Sequence, residues 1–205
     1  MNILCDFLCV SVSLWFNRCY PVGVLIDDVS TPCALVDLDQ LERNAARVAD
    51  KARRLGVRLR PHVKTHKCVE AARIQTDLHF GGLTVSTLAE AQAFASAGFT
   101  DITYAVPIAP QKIAEAAALN EEIDSLNLLV DHPDTIRSIE EYARSNGVEL
   151  PVYLEIDCGG GRTGVDSESD AVESMVRRLD DSDAIDFRGL LTHAGHAYRS
   201  RTRSE

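Results

Sequence analysis

Two short segments concentrate side chains that can do chemistry. RPHVKTHK (60–67) places Arg60, His62, Lys64, His66 and Lys67 close together, and THAGHAY (192–198) places His193, His196 and Tyr198 around a glycine. A lysine withdrawn from water and set among other cations holds its proton less tightly, which is what an amine nucleophile requires. Lys64 has that neighbourhood, yet a lysine whose stem runs out of a strand end into solvent explains the position equally well. Between the two segments lies CGGGRTG (158–164), where Gly159, Gly160 and Gly161 let the backbone approach a ligand and Arg162 presents a planar fork of donors. An ordinary flexible loop is the alternative, and the glycine spacing does not match the dinucleotide fingerprint. Two histidines three apart with a tyrosine fit a ligand-binding rim. A metal site there is also open, although the spacing differs from helical HExxH. His79 and His132 are read as loop and surface residues.

The elements that position these groups alternate in type. Apolar runs at 34–38, 57–64, 81–87, 101–107, 126–132, 149–158 and 187–193 read as seven strands, separated by helix-like segments. Gly56, Gly98 and Gly147 fall where glycines close helices, and Asp39 and Asp166 stand near helix starts. Such alternation implies a parallel sheet with helical crossovers. Period-two alternation puts Arg58, Arg60, His62 and Lys64 on one face of the second run, and Tyr153, Glu155 and Asp157 on one face of the sixth. A doubly wound sheet is covered by helices on both faces, so a polar face favours a (β/α)8 barrel whose strand ends carry the chemistry. Asp37, His62, Lys64, Thr84, Ser86, Asp131, His132, Asp157, Thr192, His193, His196 and Tyr198 then gather at one rim.

The bulk numbers bound the rest. The chain has 205 residues, 45% hydrophobic and 25% charged, enough for one globular core, and its net charge of -10 argues against nucleic acid as a partner. Six scattered cysteines include no CxxC pair, which fits reduced thiols in a cytoplasm better than a zinc ribbon or disulfide framework. The apolar stretch in residues 1–20 is interrupted by Asp6 and lacks the basic lead of a signal peptide. It is too short for the ~20 residues of a membrane span. Residues 1–26 are expected to be an extension, 27–198 the barrel domain and 199–205 a tail.

Four segments together carry a family resemblance. TPCALVDLDQLERNA (31–45) resembles the opening strand and helix of alanine racemase-fold proteins. RPHVKTHK (60–67) resembles the cofactor-lysine motif of D-threonine aldolase and D-serine dehydratase relatives. EIDCGGGRTGV (155–165) and GLLTHAGHAY (189–198) are similar to two further motifs of that group. The resemblance implies an α/β, pyridoxal-phosphate-binding barrel of the alanine racemase type. It implies that Lys64 carries the cofactor, that His62 supports the lysine, that Arg162 contacts the cofactor, and that His193 and Tyr198 lie beside cofactor or substrate. The implied reaction is a lyase reaction on a D-3-hydroxyamino acid: retro-aldol cleavage of D-threonine or dehydration of D-serine.

Full-length relatives continue into an eighth strand and a β-rich domain with ligands for a divalent metal, zinc or manganese, and they form homodimers. With seven strands and no such domain, this chain is expected to be a truncated product of low or no activity. Three other readings stay open. One is a non-catalytic pyridoxal phosphate carrier of the same fold. Another is a barrel metallohydrolase using His62, His193, His196 and Asp157 with a carbamylated Lys64. The last is a remnant without function.

Overall fold

The computed structural model describes residues 3–6 and 34–202, and the side chains of 35–202. The chain divides into two compact units, Met1–Thr84 and Val85–Glu205. In the first, β1 (Ile3–Asp6) pairs antiparallel with β2 (Ala34–Asp37). Helix α1 (Leu38–Leu55) follows at once: the Asp37 carboxylate accepts the Gln40 N–H at 3.0 Å, and Gly56 closes the helix at φ 65. Asp39 lies in the first turn, near the helix start as the sequence suggested, and the cap itself is Asp37. Then come an irregular stretch, a 3-10 turn at Val63–Thr65, helix α2 (Val69–Thr76), and β3 (Leu83–Val85), which crosses the boundary between the units.

The second unit is built on strands joined by helices. β4 (Asp101–Pro107), β5 (Ser125–Val130), β6 (Leu150–Asp157) and β8 (Ile185–Thr192) pair in parallel in that order, and two-residue β7 (Val165–Asp166) adds to the end of β6. The crossovers carry α3 (Leu88–Ser96), α4 (Ile113–Glu122), α5 (Pro133–Asn146) and α6 (Ala171–Asp180). The four long strands lie side by side in sequence order and that order never reverses, whereas a doubly wound sheet reverses at its switch point. Ile102, Leu126, Leu128, Val130, Val152 and Leu154 alternate along the strands and are wholly buried. Burying one such side chain stabilises the fold by ~1.5–3 kcal/mol.

Helix ends in this unit are capped by side chains the sequence supplies nearby. Thr87 Oγ1 accepts the Glu90 N–H at 3.0 Å, while the Glu90 carboxylate accepts the Ser86 N–H at 2.8 Å. The Glu90 N–H, which the first turn leaves unpaired, and the Ser86 N–H ahead of the cap are thereby satisfied. His132 Nδ1 accepts from Asp134 ahead of α5, and Gly147 at φ 66 ends that helix. Asp166 lies in β7, where its carboxylate accepts the Glu168 N–H before α6 begins. Buried Glu140 on α5 is paired with Arg178 on α6 at 2.6 Å, so this buried carboxylate has its counter-ion.

Two strand expectations change. Residues 57–64 form no strand. Pro61 has no N–H to give a ladder, and only one parallel bridge, His62 to Thr84, is made before the chain tightens into the 3-10 turn. The first run does form a strand, but its partner is Ile3–Asp6. VGVLID (22–27), which the sequence offers as a substitute for the eighth strand, lies outside the described residues.

Two substitutions test this account of the core and caps in urea unfolding. Leu128→Ala is expected to cost about 2–5 kcal/mol. Thr87→Ala is expected to cost about 1 kcal/mol, with an unchanged m-value for both.

Candidate functional site

In the first unit, the 3-10 turn presents Lys64. His62 caps it, its Nδ1 accepting the Lys64 N–H at 3.4 Å, and Val63 is fully buried as the anchor. The Lys64 side chain is exposed, not enclosed as strand alternation had suggested, because the turn replaces the strand. The other cations of the segment are committed elsewhere. Arg58 and Arg60 both stack over the Phe80 ring, at 4.4 and 5.1 Å from its centroid, and Arg60 also donates to the Leu83 carbonyl. His66 Nδ1 accepts the Cys68 N–H at 3.1 Å, which leaves its Nε2–H to donate to Gln75 Oε1 at 3.0 Å. Lys67 has φ 49, the left-handed region that disfavours a side chain. Its N–H bonds the Val63 carbonyl at 2.8 Å and closes the turn. The exposed lysine therefore sits on a backbone held tightly, with a strained residue three places on.

In the second unit, the end of β6 organises a loop. Asp157 Oδ1 accepts N–H groups from Gly159, Gly160 and Gly161 at 2.9, 2.8 and 3.1 Å, and Oδ2 takes a second contact from Gly161 at 3.0 Å. The glycines thus wrap the protein's own carboxylate. The Gly161 N–H is the main cause holding the Asp157 carboxyl below its ordinary value of 3.8. Gly164 returns the chain at φ 102, where a Cβ would come within 2.6 Å of the Asp157 nitrogen, and its N–H bonds Asp131 at 3.2 Å. Between these fixed points Arg162 and Thr163 turn toward Glu155. Thr163 Oγ1 donates to Glu155 Oε1 at 2.9 Å, and Arg162 Nη2 stands 4.0 Å from the same oxygen.

Glu155 is 1% exposed. Burial pushes its carboxyl above the ordinary value of 4.5. The Thr163 bond and the Arg162 charge oppose that, and Asp131 adds to it. Glu155 Oε2 and Thr103 Oγ1 are buried without a hydrogen-bond partner among the described residues. Register puts Thr103, Asn127, Leu129, Tyr153 and Glu155 on one face of the sheet. The sequence marked Glu155 only as a member of this face; its complete burial depends on neighbouring strands and could not be read from local alternation.

After β8 the chain forms a 3-10 turn, Gly195–Arg199, that brings the His193 and Tyr198 rings edge to face with centroids 6.0 Å apart. A Cβ at Gly195 would lie 3.0 Å from His193 Nε2, so the imidazole would have to shift slightly to admit one. Tyr198 is 82% exposed. His196 is exposed and near enough to Asp157 to favour its charge. His132 is a helix cap, in line with the bland expectation, whereas the His79 ring nitrogens are buried and unpartnered rather than at the surface. Among the described residues no group of three His, Cys, Asp or Glu is placed to hold a metal ion, and no helix is long and apolar enough to cross a membrane.

A lysine on a rigid turn and an arginine on a glycine-rich strand-end loop, in a parallel α/β sheet, match a known class. Residues 36–205 match the family described as alanine racemase, N-terminal domain, and the chain belongs to that family. Among characterised relatives, D-threo-3-hydroxyaspartate dehydratase of Delftia sp. is 40% identical over 85% of this chain and 46% of its own length. D-serine dehydratase of Dictyostelium discoideum is 37% identical over 86% of this chain and 48% of its own. The solved structure of the Delftia enzyme superposes with a TM-score of 0.80 over 85% of this chain and 46% of that one. That of D-threonine aldolase from Filomicrobium marinum, 34% identical, gives 0.72 over 80% of this chain and 44% of that one. The chain spans about half the length of the curated relatives it matches.

The two β6 carboxyls give opposite pH signatures. The folded-state value of Glu155 is raised, so its stability contribution is complete below 4.5 and is lost as pH rises through the raised value. Glu155→Gln is therefore expected to be more stable than wild type at neutral pH, with the gap closing as pH falls toward 4.5. The folded-state value of Asp157 is lowered, so its contribution is present above 3.8 and lost as pH falls through the lowered value. Asp157→Asn is expected to be less stable than wild type at neutral pH and to converge with it in acid. Urea midpoints of both variants across pH 3–8 check the signs.

Proposed function

We propose that this chain is the cofactor-carrying part of a pyridoxal-phosphate-dependent lyase acting on D-3-hydroxyamino acids. The observation that carries the reading is Lys64, presented on a His62-capped turn within RPHVKTHK, in a chain 40% identical to a hydroxyaspartate dehydratase. The residues present suit the cofactor chemically. Lys64 offers an accessible amine for its aldehyde. In the second unit, the Arg162 guanidinium and the unpartnered Glu155 Oε2 and Thr103 Oγ1 are polar groups that a ring bearing a phenolic oxygen and a pyridine nitrogen can satisfy.

When bound, pyridoxal phosphate supplies an electron sink for charge developing at Cα of an amino acid. The protein's own part is binding, orientation and proton handling. From the first unit, Lys64 Nζ is the attachment point, and His62 keeps the turn that carries it in shape. From the second, Arg162 donates to a cofactor oxygen, while His193 and Tyr198 contact cofactor or substrate. The Tyr198 hydroxyl and the His193 ring are groups able to give or take a proton there. The substrate class follows the relatives, which include D-serine, D-threonine and 3-hydroxyaspartate enzymes. Their shared feature is a hydroxyl on the carbon next to Cα, lost as water in dehydration or retained in the aldehyde of aldol cleavage. We further propose that 27–198 form the barrel domain of the alanine racemase type and that the protein is a cytoplasmic homodimer.

Mixing the purified protein with pyridoxal phosphate is expected to give an absorbance band at the edge of the visible region that borohydride abolishes and Lys64→Ala lacks. Pyruvate release from D-serine and acetaldehyde release from D-threonine then distinguish dehydration from cleavage. A folded protein with no Lys64-dependent band would refute the cofactor reading, and turnover of either substrate would exclude a non-catalytic pyridoxal phosphate carrier.

A further inference from the structure

Glu155 occupies a place that folding alone does not favour. It is 1% exposed, one of its oxygens has no partner among the described residues, and the carboxylates of Asp131 and Asp157 are close enough to work against its charge. An apolar residue there would remove these penalties. What the carboxyl contributes is contact with two consecutive loop residues, Arg162 and Thr163, through a single oxygen.

The rest of the loop is fixed by its backbone: 159–161 by Asp157, 164 by Asp131. Those bonds hold the main chain but do not direct the long Arg162 side chain, which is 56% exposed. The carboxylate beside its guanidinium is Glu155, and Glu155 is itself held by the Thr163 hydroxyl at 2.9 Å. A buried, hydrogen-bonded acid is a firm reference point for a flexible cation.

We propose that Glu155 is a positioning residue: Oε1 fixes the Thr163 hydroxyl and draws the Arg162 guanidinium toward the end of β6, so that Arg162 meets its ligand already oriented. A planar fork oriented in advance loses less freedom when it forms its hydrogen bonds. The identity of the ligand rests on the pyridoxal phosphate reading above; the orienting role does not.

Two measurements separate these claims. The first is NMR relaxation of the Arg162 Nε–H in the protein without cofactor, in wild type and Glu155→Gln. The substitution is expected to lower the order of the Arg162 side chain, and unchanged order would overturn the proposal. The second is pyridoxal phosphate affinity, read from the Lys64-dependent band in wild type, Glu155→Gln, Arg162→Ala and the double variant. Glu155→Gln is expected to weaken binding on the order of tenfold with Arg162 present and by less than about twofold without it. Equal losses in both backgrounds would mean that Glu155 acts only as a structural prop, and would overturn the proposal. If wild type gives no Lys64-dependent band, the cofactor reading fails, and the Arg162 order measurement still decides the role of Glu155 in either direction.

Discussion

The strand-end half of the candidate site depends on one carboxylate. A parallel strand that stops leaves the backbone N–H groups beyond it without ladder partners, and each must find an acceptor. Asp157, the last residue of β6, accepts from three successive glycines. Gly159 and Gly161 can make this turn because their φ values of 102 and 63 are accessible without a side chain. Once the loop is wound on Asp157, Gly164 passes against its backbone, β7 pairs beside it, and Arg162 and Thr163 are left facing Glu155. Losing the charge on Asp157 would weaken its bonds to the three glycines together.

Strain and unpaired polarity fall close to the motifs that carry the chemistry. Lys67 is the described residue other than glycine with positive φ, and it closes the turn that presents Lys64. Glu155 keeps a buried oxygen without a partner beside the arginine loop. Away from these motifs the Glu140–Arg178 pair and the Thr87–Glu90 cap are satisfied, while the His79 ring nitrogens are buried without a partner among the described residues. Proteins that obey local rules through most of the chain and break them at a few positions commonly do so where they bind or react.

Much of this was legible in the sequence, and the exceptions have physical causes. The helix-closing glycines at 56 and 147 adopt the left-handed conformation expected of them, and the runs at 101–107, 126–132 and 149–158 overlap β4, β5 and β6. Residues 57–64 misled because charged and apolar residues alternate with period two, while Pro61 and a 3-10 turn break the ladder. The pairing of Ile3–Asp6 with Ala34–Asp37 joins segments far apart in sequence, which local pattern does not encode. The glycines of 159–161 were read as room for a ligand, whereas their N–H groups are taken by Asp157. Family membership came through because it rests on residue identity at 60–67, 155–165 and 189–198, which survives such misreadings.

The central claim is that one particular lysine of four is the attachment point. The most direct measurement is peptide mapping by mass spectrometry after the protein has been incubated with pyridoxal phosphate and reduced with borohydride. The account predicts that the pyridoxyl mass resides on Lys64, with Lys51, Lys67 and Lys112 unlabelled at stoichiometric cofactor. Label on Lys67, or label spread evenly over the four lysines, would contradict it.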